Sequence, residues 1–353
     1  MKFQVYSDKT IFENILLEKQ KYINWNNILN HHSEVYIDMS QDDFDLDIAD
    51  PDNSILFQYI QEAHGRAPIP NEQFFQDFEN DNTIVLDNPF SAFFIDKDDQ
   101  SVKDLSERYG LIFQNYNIDD EALTKTYFKN FVKGSEYKNQ NSEGWNSLSL
   151  TRKYIFNALV ITEEHLFHNE ETVRGQRTNL GVYNLIGFLN LVLPDNLGID
   201  FHLTVVTEMK NRNIPEIEAF DYYDQINQAL GSLRPYNINF ELVFTIETVH
   251  NRSAYSNYQV FTLDKGYKVF SVRDRSKVYE KNKLTLSQIF LTCKPEDGDT
   301  HFQEIVDDIP AIKKGIRNCT EYVRVKGNTF PNFKCFGFPS TLLSQNRLLN
   351  NFP

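Results

Sequence analysis

Short apolar runs recur along this chain, separated by stretches in which apolar positions fall three and four residues apart. The first pattern fits buried strands, and the second fits helices that hide one face. Lys2 to Tyr6 reads as a strand, and Phe12, Ile15, Leu16, Lys19, Tyr22 and Ile23 then follow the spacing of one helix. Glu34 to Met39 reads as a second strand. Ala92 to Ile95 opens a further strand, helix, strand unit: Val102, Leu105 and Tyr109 share a helical side, Gly110 stops the helix, and Leu111 to Gln114 resumes as a strand.

The second half repeats this grammar. Asn157 to Thr162 is a buried strand, and Val182, Leu185, Ile186, Leu189, Val192 and Leu193 form a helical stripe capped by Thr178 or Asn179. The Pro-Asp-Asn-Leu-Gly run at 194–198 breaks that helix. Phe201 to Thr207, Ile214 to Leu233 and Ile238 to Glu247 continue as strand, helix and strand, before a hairpin-like pair at Tyr258 to Thr262 and Tyr267 to Val272. Pro310 is expected to kink or split a last helix at Thr300 to Asn318. Alternating strands and helices of this kind predict an α/β protein with largely parallel sheets flanked by helices.

A length of 353 residues suggests two domains. Charge divides the chain in the same place. Residues 1–150 hold 12 Lys and Arg against 27 Asp and Glu, whereas the rest holds 23 of each. The polar stretch from Lys133 to Gly144 has no apolar periodicity. The expected organisation is an acidic α/β domain at 1–135, a polar linker at 136–152 and a second α/β domain at 153–353. No apolar run approaches the roughly 20 residues of a membrane helix, and the first residues lack a secretory pattern. The expected location is therefore cytoplasmic, with no membrane partner. Three cysteines at long spacings, Cys293, Cys319 and Cys335, fit neither a disulfide framework nor a Cys-x-x-Cys metal site.

Open α/β sheets carry their functional groups at the carboxyl ends of strands. After the strand ending near Glu247 the sequence reads Val249-His250-Asn251-Arg252, with Asn257 five residues beyond Arg252. This segment resembles the phospholipase D-like (HKD) superfamily, whose motif is His-x-Lys, four residues, then Asp. It is also similar to the degenerate His-x-Arg version in the carboxyl-terminal domains of MIT-domain proteins. The resemblance implies a phospholipase D-like second domain. It makes His250 the candidate catalytic nucleophile, Arg252 the phosphate ligand in place of lysine, and Asn257 the counterpart of the aspartate. Arginine holds phosphate well, but asparagine cannot accept a proton. The superfamily uses two motifs per site and this chain shows one, so catalysis through His250 implies a homodimer.

Downstream, Lys265, Lys268, Arg273, Arg275 and Lys277 interleave with Tyr267, Phe270 and Tyr279. Cations for the backbone and aromatics for stacking are what a nucleic-acid groove needs. A solvated hairpin whose lysines blunt an edge strand gives the same pattern. In the first half, Asp38, Asp42, Asp43, Asp45, Asp47, Asp50 and Asp52 crowd into 15 residues, and Asp96 and Asp98 follow another strand. Asp38, Asp42, Asp96 and Asp98 are thus candidate ligands for Mg²⁺ or Mn²⁺, although a solvated acidic loop accounts for them too. The layout resembles a PIN-like nuclease domain. His165 and His168, like His31 and His32, show no third ligand at zinc spacing.

Two function classes follow. The first is a nucleic-acid-binding protein, DNA or RNA, of a bacterial defence or mobile-element system. Its second domain would hold the phosphate backbone and its acidic domain would dock a basic protein. The second is a nuclease or phosphodiesterase, working through a dimeric His250 site or through metal on the N-terminal aspartates.

Overall fold

The computed structural model describes residues 2–123, 155–167, 171–173, 176–178, 180–208, 214–246, 252–263, 267, 284–288 and 301–350. The chain divides into two units, the first built on Met1–Lys125 and the second on Thr126–Ser287 with Ile305–Phe352. Both are α/β, and the sheet of the first is entirely parallel.

In the first unit, β1 (Phe3–Asp8) leads into α1 (Lys9–Leu17) and α2 (Ile23–His31), then β2 (Ser33–Asp38). The single helix expected over Phe12 to Ile23 is therefore two. The polar run from Glu18 to Lys21 interrupts the spacing, and Glu18 closes α1 by donating its N–H to Asn14. Helices α3 (Gln41–Ile48) and α4 (Ile55–Glu62), strand β3 (Ile69–Pro70) and helix α5 (Glu72–Asn80) occupy the acidic stretch, where periodicity predicts no element. Each helix is announced by a cap instead: Ser40, Ser54 and Asn71 accept from the backbone N–H of Asp43, Phe57 and Phe74. The unit ends with β4 (Ser91–Phe94), α6 (Asp99–Tyr109) and β5 (Ile112–Gln114). Gly110 terminates α6 in the left-handed region, at φ 61°, as its position predicts.

The strands lie in the order β3-β2-β1-β4-β5. A parallel sheet is buried on both faces, and one face here carries a row of aromatic rings across four strands. Tyr36, Tyr6, Phe93 and Phe113 are register partners in succession. Tyr6 stacks on Tyr36 with centroids 4.7 Å apart, and Phe74 of α5 covers Tyr6 at 4.1 Å.

The second unit has a seven-stranded sheet centred on parallel β6 (Ala158–Glu163), β9 (Phe201–Glu208) and β10 (Ile238–Thr245). Helices α7 (Leu180–Val192) and α8 (Glu216–Leu230) make the crossovers, and a two-stranded ribbon of β7 (Glu171–Val173) and β8 (Gln176–Thr178) precedes α7. Antiparallel strands extend both edges, β11 (Ser253–Ser256) and β12 (Gln259–Leu263) beside β6 and β14 (Lys334–Phe336) beside β10, and β13 (Leu284–Gln288) lies next to β12. The observed hairpin thus starts earlier than the pair expected from Tyr258 and Tyr267. Its turn is held by the Ser256 hydroxyl, which accepts from the Gln259 N–H at 2.9 Å.

The last long helix, α9 (His301–Lys326), runs through Pro310 without interruption. An interior proline costs a helix roughly 3 kcal/mol. Burial of Ile305, Ile309, Ile316, Cys319 and Val323 along one stripe outweighs that cost, at roughly 1.5–3 kcal/mol per large side chain. The segment beyond β14 then crosses the central strands. Glu241 of β10, 2% exposed, accepts from Thr204 Oγ1 at 2.7 Å, Ser344 Oγ at 2.6 Å and the Gln345 N–H at 2.6 Å. Asn346 donates to the Leu159 carbonyl and to Thr204 Oγ1, and a short helix α10 (Arg347–Asn350) follows.

Candidate functional site

The carboxyl edges of both parallel arrays carry charged side chains. In the first unit, strand order reverses between β1 and β4, the switch point at which open sheets hold ligands. Asp8 and Asp38 end β1 and β2 as register partners. Burial, then the charges of Asp8 and Glu72, hold the Asp38 carboxyl above its ordinary range. A cleft of about 690 Å³ opens beside Asp38, with Ser40, Asp43, Asp47 and Glu72 on its walls. Lys9 lines it too, pairing with Asp47 at 2.7 Å, and Asp47 also accepts from Ser54 Oγ.

This edge does not gather the four aspartates expected to hold Mg²⁺ or Mn²⁺. Asp42 is exposed in the first turn of α3. Asp98 is the N-cap of α6, accepting from the Ser101 N–H at 2.9 Å and hydroxyl at 2.7 Å, and those bonds lower its pKa. Asp38 and Asp96 follow different strands with β1 between them. Within the acidic run, Asp43 accepts from the hydroxyl of the capping Ser40 and Asp47 pairs with Lys9, so these carboxylates have local partners.

In the second unit, β6 ends at Glu163 and its parallel neighbour β9 at Glu208. Glu164 and His165 continue from β6. Ligand atoms of Glu164, His165 and Glu208 all lie within 4.8 Å of one another. Arg252 lies at the same edge, because β11 runs antiparallel to β6 with Ser253 opposite Thr162. Its Nε stands 3.6 Å from Glu163 Oε1, which also accepts the His165 N–H at 3.0 Å. Glu163 is 2% exposed, and burial raises its pKa against the opposing effects of that hydrogen bond and of Arg252.

Asn257 is not beside Arg252. Strands advance about 3.3 Å per residue, so β11 separates the two by well over 10 Å. Asn257 is fully buried at the opposite end, where Oδ1 accepts the N–H groups of Asn157 at 2.9 Å and Ala158 at 3.2 Å. It anchors the start of β6 and cannot contact phosphate, which corrects the expectation from motif spacing. His250, His168, Lys265, Lys268, Arg273, Arg275 and Lys277 lie outside the described residues. Tyr267 is buried against Phe188, at a centroid distance of 4.7 Å, and so is not a stacking platform.

A further cationic surface follows α9, where Lys313, Arg317 and Arg324 line a groove of about 550 Å³ with Glu321. Periodicity shows the helix but not this face, because the basic residues read as ordinary solvated positions. Glu208 was likewise missed. It becomes a neighbour of His165 only through the pairing of β6 with β9, although its place at the end of an apolar run was a readable signal.

Known protein-family models and curated protein sequences were both compared with the chain, and neither gives a match.

Proposed function

We propose that this is a nucleic-acid-binding protein whose second unit engages the phosphate backbone at the carboxyl edge of its parallel strands. The observation that carries this reading is Arg252. Its guanidinium, ion-paired with buried Glu163 at 3.6 Å, stands where adjacent strands end. A guanidinium already paired with a buried carboxylate has less side-chain freedom to lose on binding phosphate. Two further features support it. The excess negative charge is confined to the first 150 residues, and α9 presents Lys313, Arg317 and Arg324 along a groove. The acidic first unit then serves as the docking surface for a basic protein.

The test is fluorescence anisotropy of the full chain with labelled single-stranded DNA and RNA over a range of salt. Binding should weaken steeply with salt, and Arg252→Ala should reduce affinity by about 1.5 to 3 kcal/mol. Unchanged affinity in Arg252→Ala would overturn the reading. A nuclease or phosphodiesterase is the second reading, favoured by the convergence of Glu164, His165 and Glu208 beside the same arginine.

A further inference from the structure

We propose that Glu164, His165 and Glu208 form a binding site for a divalent transition-metal ion, Mn²⁺ or Zn²⁺. Their ligand atoms lie within 4.8 Å of one another. Glu164 and His165 directly follow β6, and Glu208 closes the adjacent parallel strand, so sheet pairing fixes the arrangement. His165 Nε2 stands 3.4 Å from Glu164 Oε1. Two ligands each about 2.1 Å from a tetrahedral ion stand about 3.4 Å apart.

A second observation concerns Glu163, the residue before this cluster. Its Oε1 binds the His165 N–H and so holds the turn that carries two of the ligands. Its Oε2 is buried with no hydrogen-bond partner among the described residues. A buried carboxylate oxygen in that state is one that a bound water or cation satisfies. An imidazole with two carboxylates suits a first-row transition ion, whereas Mg²⁺ and Ca²⁺ favour oxygen ligands alone. Three protein ligands leave coordination positions open, the pattern of ions that meet a substrate rather than brace a fold. Arg252, paired with Glu163 at the same edge, is placed to meet an anion drawn to that ion.

The site stands independently of the nucleic-acid reading, and the probe is the metal alone. Isothermal titration of the full chain with Mn²⁺ should show one saturable site. Glu208→Gln and His165→Gln should each weaken binding at least tenfold, with circular dichroism confirming that each is folded. The double variant Asp38→Asn with Asp96→Asn should bind as the wild type does. Should either ligand variant not fold, the wild-type protein still decides: substoichiometric Mn²⁺ should selectively broaden the imidazole proton signals of His165. No saturable Mn²⁺ or Zn²⁺ binding at millimolar concentration would overturn the proposal. So would unchanged affinity in folded Glu208→Gln, loss of the ion in the Asp38 and Asp96 variant, or unbroadened His165 signals.

Discussion

Asn257 and Asn157 close on each other at the amino end of β6, where one side-chain oxygen of Asn257 takes the main-chain N–H of Asn157 and its amide returns a bond to Asn157 Oδ1 at 3.2 Å. The pair is fully buried. Asn257→Ala leaves two buried N–H groups without their acceptor, at about 1 to 3 kcal/mol each. Urea denaturation should show a loss of roughly 2 to 6 kcal/mol on that basis. Nucleic-acid affinity of the folded variant should stay within about twofold of wild type, since Arg252 is at the other end of β11. A stable variant with lost affinity would return Asn257 to the phosphate site.

Gly337 follows β14 at φ 81°, and a Cβ there would sit 1.9 Å from the Phe240 carbonyl oxygen. Backbone, not a flexible side chain, blocks the space. Gly337→Ala therefore forces β14 away from β10 and should cost at least about 2 kcal/mol, the sum of a strained φ and a lost edge. Thermal unfolding reads this directly, and a variant as stable as wild type would show that the edge strand shifts freely.

His202, second residue of β9, has its pKa lowered to about 4, by burial first and then by Arg347, against the opposing charge of Asp200. An unfolded histidine takes a proton near pH 6.5 and the folded one only near 4. Stability should thus hold above pH 6.5 and fall between 6.5 and 4, by up to about 3 kcal/mol. His202→Gln should flatten that acid limb in urea titrations at several pH values. A variant that loses stability in parallel with wild type would assign the limb to other groups.

Glu241 receives three hydrogen bonds, two of them from Ser344 and Gln345. Burial raises its pKa while these bonds oppose the rise. Glu241→Ala should cost about 3 to 5 kcal/mol, as expected when charged hydrogen bonds are lost and their donors are left buried. Cleavage should appear first between residues 338 and 346 under limited proteolysis. Resistance there would mean that the other contacts of Asn346 and Arg347 suffice to hold the segment.

The strands were legible because apolar residues follow one another along them: all four residues of β4 and all six of β6 are buried, as strands covered on both faces must be. Gly110 was legible for its conformation alone. The helices between Gln41 and Asn80 were not, because Asp42, Asp43, Asp45 and Asp47 dilute the apolar spacing, and only the caps at Ser40, Ser54 and Asn71 mark them. Asp38, Asp42, Asp96 and Asp98 read as one cluster because each lies near a strand end, but Asp42 sits on α3, Asp98 caps α6, and β1 lies between the strands of Asp38 and Asp96. Motif spacing put Arg252 and Asn257 together, yet four intervening residues in an extended strand place them at opposite ends. Glu208 and His165 required the converse knowledge, that β9 pairs with β6.

The bonds that Ser344, Gln345 and Asn346 make to the middle of the second sheet impose an order on synthesis. Every strand of the first sheet has left the ribosome once Gln114 has emerged. Of the three groups that donate to Glu241, only Thr204 precedes it, and Ser344 and Gln345 follow 103 and 104 residues later. At about 5 to 20 residues per second, the half-made chain carries this carboxylate short of two of its three donors for roughly 5 to 20 seconds. Throughout that interval β6, β9 and β10 lack the polar brace that crosses them. The acidic first unit, already folded, tethers them with a large net negative charge, which disfavours association between neighbouring nascent chains.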